Sequence, residues 1–109
     1  MESTYELHEG ALWIRLKGEL DHHGAKTLIS KLSSQIDSAL PLRCILDFSG
    51  ISFMDSSGLA VILYTHRRMR ELGGSIRIIH LPDQAARVVN ASGIDRLIMQ
   101  DERSGSDEE

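Results

Sequence analysis

The residues best able to do chemistry stand together in Phe53-Met54-Asp55-Ser56-Ser57-Gly58: two apolar side chains, an acid, two hydroxyls and a glycine. Their plainest use is to start a helix, with Asp55 or Ser56 accepting the free amide hydrogens of the first turn. Capping needs only one of them. A second hydroxyl, followed by a residue with no side chain, is approachable from outside, and the positive end of a helix favours added negative charge there. That arrangement suits a phosphoacceptor at Ser57. On residue types alone, simple capping stays open beside it.

Other chemistries fit less well. A serine hydrolase needs its nucleophile on a Gly-x-Ser-x-Gly elbow, and Met54 or Asp55 stands where the leading glycine belongs. Phosphoryl transfer by the chain itself needs a glycine-rich phosphate loop with its lysine. Lys17, Lys26 and Lys31 do not follow glycines in that pattern. Five histidines, His8, His22, His23, His66 and His80, invite a metal, but no cysteine or paired-carboxylate set completes a shell, so they read as solvated or docking histidines. No cofactor is expected, and no catalysis by the isolated chain. Cys44, among apolar residues, reads as an inert buried thiol. His66-Arg67-Arg68-Met69-Arg70 reads as a solvated basic face near a helix C-terminus, where cations oppose the negative pole. Trp13 is either packed under a helix or exposed for contact.

The elements that must position the serine pair follow from periodicity. Tyr5 and Leu7, then Leu12, Ile14 and Leu16, alternate with polar residues across His8-Glu9-Gly10, an opening β-hairpin with Gly10 in its turn. Asp21 caps a helix whose Ala25, Leu28, Ile29, Leu32 and Ile36 share one face, and Pro41 closes it. Cys44-Ile45-Leu46 with Phe48 predicts a central strand covered on both faces. Ser49 to Ser56 reads as a turn-rich connection. Leu59, Ile62, Leu63, Met69 and Leu72 predict a second helix ending at Gly73-Gly74, Ile76 to Ile79 another strand, and Pro82 to Gly93 a third helix. Ile94 to Met99 reads as a last short strand. Strands alternating with helices imply an α/β domain, a mostly parallel sheet with an antiparallel edge strand and flanking helices.

With 109 residues, 41% of them hydrophobic, the chain holds one core and one domain, set at 1–100. Residues 101–109 carry five acids against Arg103 and no apolar side chain, which predicts a disordered acidic tail. The net charge of −4 belongs to that tail, leaving eleven of the 16 acids and eleven of the 12 bases in 1–100. A neutral body argues against direct nucleic-acid binding, which draws on a basic excess. No apolar run is long enough to span a membrane, no signal segment opens the chain, and Cys44 is the single cysteine. A cytoplasmic location is expected.

The stretch from Asp47-Phe48-Ser49 through Phe53-Met54-Asp55-Ser56-Ser57-Gly58-Leu59 to Leu63 resembles the signature of the STAS domain, the fold of bacterial anti-sigma factor antagonists. Gly18-Glu19-Leu20-Asp21-His22-His23, with Gly73-Gly74 and Ser92-Gly93, is similar to the sporulation-type members, those acting on the first forespore-specific sigma factor. The resemblance covers residues 5 to about 100 and implies partner switching. The unmodified protein binds an anti-sigma factor that is also a serine kinase with bound nucleotide, freeing the sigma factor. Phosphorylation of the second serine, Ser57, reverses this, and a serine phosphatase resets it. The implied partner-binding residues are Asp21, His22, Asp55, Ser56, Ser57 and Gly58. A general stress-response antagonist or a ligand-sensing regulatory module is the alternative on the same fold. Sporulation-type members end in an apolar fourth helix where this chain has only the acidic tail, a departure that would leave surface open to a partner or a weak homodimer.

Overall fold

The computed structural model describes residues 1–98. Strand β1 (Glu2–His8) pairs antiparallel with β2 (Ala11–Leu20). Glu9 and Gly10 both take positive φ, 51° and 83°, so the hairpin closes through two left-handed residues whose twist matches the strands. Gly10 is the residue that holds this conformation without a Cβ penalty. Its carbonyl also accepts from Leu42 and Arg43, tying the turn to the start of the next strand.

Helix α1 (His22–Ala39) buries Ala25, Leu28, Leu32 and Ile36 of the expected stripe, with Gly24 beside them, while Ile29 is half-buried against the core. Leu40, left-handed at φ 45°, ends it just ahead of Pro41, which cannot continue a helix. Strand β3 (Arg43–Met54) runs parallel to β2 on one side and to β4 (Ser75–Ile79) on the other, in the order β1-β2-β3-β4. Helix α2 (Ser57–Glu71) joins β3 to β4, and α3 (Asp83–Ser92) follows β4.

The core lies on the sheet face that carries Leu12, Ile14, Leu16, Cys44, Leu46, Phe48 and Ile76, under α1 and α2. Each large side chain fully buried there contributes roughly 1.5–3 kcal/mol, and Phe48, Leu46, Ile14 and Ile62 are at 0% exposure. Thr65 is buried too, and its hydroxyl donates to the Val61 carbonyl at 2.8 Å. Arg68 bridges Asp37 and Glu71, pinning α2 to α1 from outside.

Cys44, Ile45 and Leu46 are all buried, so β3 is covered on both faces there, as expected. Ile45 stands outside the contiguous core, and on the neighbouring strand Trp13, 37% exposed, Arg15 and Lys17 face outward. Three expectations need correction. The connection placed at Ser49–Ser56 is strand as far as Met54, because β2 is long enough to pair with it through two register shifts, between Arg15 and Lys17 and between Gly18 and Glu19. Residues 94–98 are helical rather than a strand, and Ile94 and Ile98 join the core. His66 is buried, not solvated. Met99 and the tail at 101–109 lie outside the described residues. Among the described residues no helix is long and apolar enough to cross a membrane.

Candidate functional site

Register places the site. Leu20 pairs with Met54 at the carboxyl ends of the adjacent parallel strands β2 and β3, so Asp21 and Asp55 follow side by side at one edge of the sheet. The Asp55 N–H donates across to the Leu20 carbonyl at 3.4 Å. Each aspartate then opens a helix: Asp21 Oδ1 accepts from Gly24 N at 2.9 Å, and Asp55 Oδ1 from Ser57 N at 2.8 Å. Two positive helix ends therefore face the same edge, each held by a carboxylate. The Gly24 N–H bond holds the Asp21 carboxyl below the usual carboxylate range.

Of the two candidate caps at α2, Asp55 does the capping, while Ser56 is exposed and its side chain makes no cap hydrogen bond. Ser57 is half-buried on the first turn. Among the described residues its hydroxyl takes no hydrogen-bond partner, so it is held in place by the backbone and left chemically available. Asp55→Ala should cost about 1 kcal/mol of stability through the lost cap, read as a lower urea midpoint at unchanged slope.

Gly58 is buried, and its role differs from simple openness. A Cβ there would meet Met54 Cγ at 2.5 Å, Met54 Sδ at 2.6 Å and Leu20 Cδ2 at 3.1 Å. The missing side chain is what lets α2 sit directly on the ends of β2 and β3. His22 and His23 are exposed on the first turn of α1. Beside them a shallow cavity of about 230 Å³ is lined by Met1, Glu19, Asp21, His23, Gly24 and Thr27.

Sequence reasoning therefore brought Asp21, His22, Asp55, Ser56 and Ser57 to one edge, and the fold puts them there. It missed two contributors. Phe53 is 43% exposed next to the serine turn, a large apolar surface at the rim of the site. Gln84 of α3 bonds both backbone groups of Met54. Phe53 was in plain view, but its exposure depends on the strand running to Met54; Gln84 carried no signal.

The remaining reactive groups stand apart. Cys44 contacts Met69 sulfur to sulfur at 3.5 Å, and burial pushes its thiol up to about 12, which keeps it protonated. Burial raises the Asp47 carboxyl, but hydrogen bonds from Ser49 and the His80 ring outweigh it and hold the group below its ordinary value. Among the described residues no group of three or more His, Cys, Asp or Glu is placed to hold a metal ion.

The STAS domain model matches residues 3–106. The anti-sigma F factor antagonist of Paenibacillus polymyxa is 31% identical over 98 residues, 90% of this chain and 84% of that protein. Two solved structures share the fold. The anti-sigma factor antagonist SpoIIAA in its unphosphorylated form has a TM-score of 0.67 and 27% identity over 88% of this chain and 97% of that one. The Bacillus cell fate determinant SpoIIAA in the phosphorylated form has 0.66 and 31%, over 87% and 86%. A four-stranded sheet with one antiparallel pair, an Asp-Ser-Ser-Gly helix start and these relatives agree: the chain belongs to the STAS domain family.

Proposed function

We propose that this chain is an anti-sigma factor antagonist worked by phosphorylation of Ser57. Unmodified, it docks through the edge formed by Asp21, His22, Asp55, Ser56 and Phe53 onto an anti-sigma factor that is a serine kinase holding nucleotide, and the sigma factor is released. The kinase transfers the terminal phosphoryl group of ATP to Ser57 Oγ: the O–P bond forms, ADP leaves, and the hydroxyl proton is lost to the kinase's base. A serine phosphatase removes the phosphate by hydrolysis. The chain itself catalyses no step, binds no nucleic acid and works in the cytoplasm. Similarity to proteins named anti-sigma F factor antagonists supports reading this chain as an antagonist of that type, with the sporulation role that its resemblance implies.

The observation that carries this reading is the Ser57 hydroxyl, unengaged on the first turn of α2, on a sheet edge it shares with the Asp21 turn. Incubation with the cognate kinase and ATP should add one phosphate per chain. Ser57→Ala should abolish incorporation, whereas Ser56→Ala should keep it. Phosphate on the Ser57→Ala protein would move the acceptor elsewhere.

A further inference from the structure

The serine turn is held from a direction that its own loop does not supply. Strand β4 stops pairing at Ile79 opposite Asp47, while β3 continues to Met54. The Asp55 N–H turns toward β2, so the groups of Met54, one residue earlier, point to the opposite flank, where no strand of the described residues pairs with them. Gln84, in the first turn of α3, takes both of them. Its Oε1 accepts from Met54 N at 2.9 Å and its Nε2 donates to Met54 O at 2.7 Å. A primary amide carries an acceptor and donors side by side, as a peptide group does, so one side chain stands in for a residue of a neighbouring strand. The opposite amide orientation would set like groups against each other, so the Met54 backbone fixes which way Gln84 faces.

The residue after Met54 is Asp55, whose carboxylate holds Ser57 N at 2.8 Å. The geometry points to Gln84 as a positioning residue for the phosphoacceptor: by fixing the end of β3 it fixes Asp55, and through Asp55 the place of the Ser57 hydroxyl. This rests on Ser57 being the acceptor. Gln84 touches no reacting atom. Its effect belongs in the transfer step, where a small misplacement of the nucleophile is costly, rather than in docking.

The test compares the full chain with Gln84→Ala and Gln84→Glu. Glutamate keeps the acceptor for the Met54 N–H but sets an oxygen against the Met54 carbonyl. Amide exchange at Met54 should speed up about tenfold or more in Gln84→Ala while the amides of Ile14 and Leu46 keep their parental protection. With the anti-sigma kinase and ATP, kcat for phosphate transfer should fall by about 5- to 20-fold with KM within about twofold, and Gln84→Glu should lose at least as much as Gln84→Ala. Parental kcat in both variants overturns the proposal, as does unchanged Met54 exchange in Gln84→Ala. A parent chain that takes no phosphate on Ser57 sinks the acceptor assignment and Gln84's part with it. A phosphorylated parent with undiminished variants sinks Gln84's part alone.

Discussion

The phosphorylated chain should bind its kinase partner 10² to 10³ times more weakly than the unmodified chain, a loss of about 3–4 kcal/mol. The fold should tolerate the modification. A phosphate on Ser57 meets the positive end of α2, a contact worth about 0.3–1 kcal/mol at an exposed site. Docking is where the cost falls. About −1.5 to −2 charges must then be stripped of water on a surface that already carries the carboxylates of Asp55 and Asp21, and the desolvation and like-charge terms exceed the helix-end gain. Affinities of the parent, the phosphorylated protein and Ser57→Asp, measured by calorimetry with ADP present, check this. Ser57→Asp should fall between the other two, since it carries one fixed charge and fewer oxygens. Equal affinity of the phosphorylated and unmodified forms would sever charge from release.

The second large effect is at Gly58. Gly58→Ala gains helix propensity of about 1 kcal/mol, but its Cβ would stand 2.5 Å from Met54 Cγ, closer than carbon atoms approach without displacement. Met54 is at 0% exposure with the core around it, so α2 must lift instead. Overpacking of this kind costs typically 1–3 kcal/mol, and the net expectation is a destabilised protein with a displaced first turn. Urea unfolding should show a lower midpoint, and the phosphorylation rate should fall with it because Asp55 and Ser57 ride on that turn. A Gly58→Ala protein as stable as its parent and equally phosphorylated would show that the turn and strand ends are looser than drawn. Gly58→Ser should behave like Gly58→Ala or worse, since it adds a polar group to an apolar contact.

These two experiments separate the roles of adjacent residues. Modification of Ser57 should change binding with the fold intact, whereas substitution of Gly58 should change the fold, and binding only through it.

Much of this was legible in the chain. The stripe of α1 and its Asp21 cap, the hairpin turn, the Gly73-Gly74 stop after α2 and the alternation of strands with helices are local patterns, set by side-chain period and by backbone conformations that few residues adopt. Asp55 and Ser57 were found the same way, since a helix start is written in its own residues.

What escaped was settled between elements distant in sequence. Ser49-Gly50-Ile51-Ser52 has the composition of a turn, yet it is strand, because β2 lies alongside and Gly50 lets the Leu16 carbonyl come where a Cβ would stand 2.6 Å away. Ile94 to Ile98 has apolar residues that serve a strand or a helix equally well, and burial of Ile94 and Ile98 in the core selected the helix. The meeting of the Asp21 and Asp55 turns depends on the register Leu20 to Met54, and the amide clamp depends on α3 arriving at the unpaired flank of β3. A chain states what each segment prefers. Which segments become neighbours is decided only when their apolar faces close on one core.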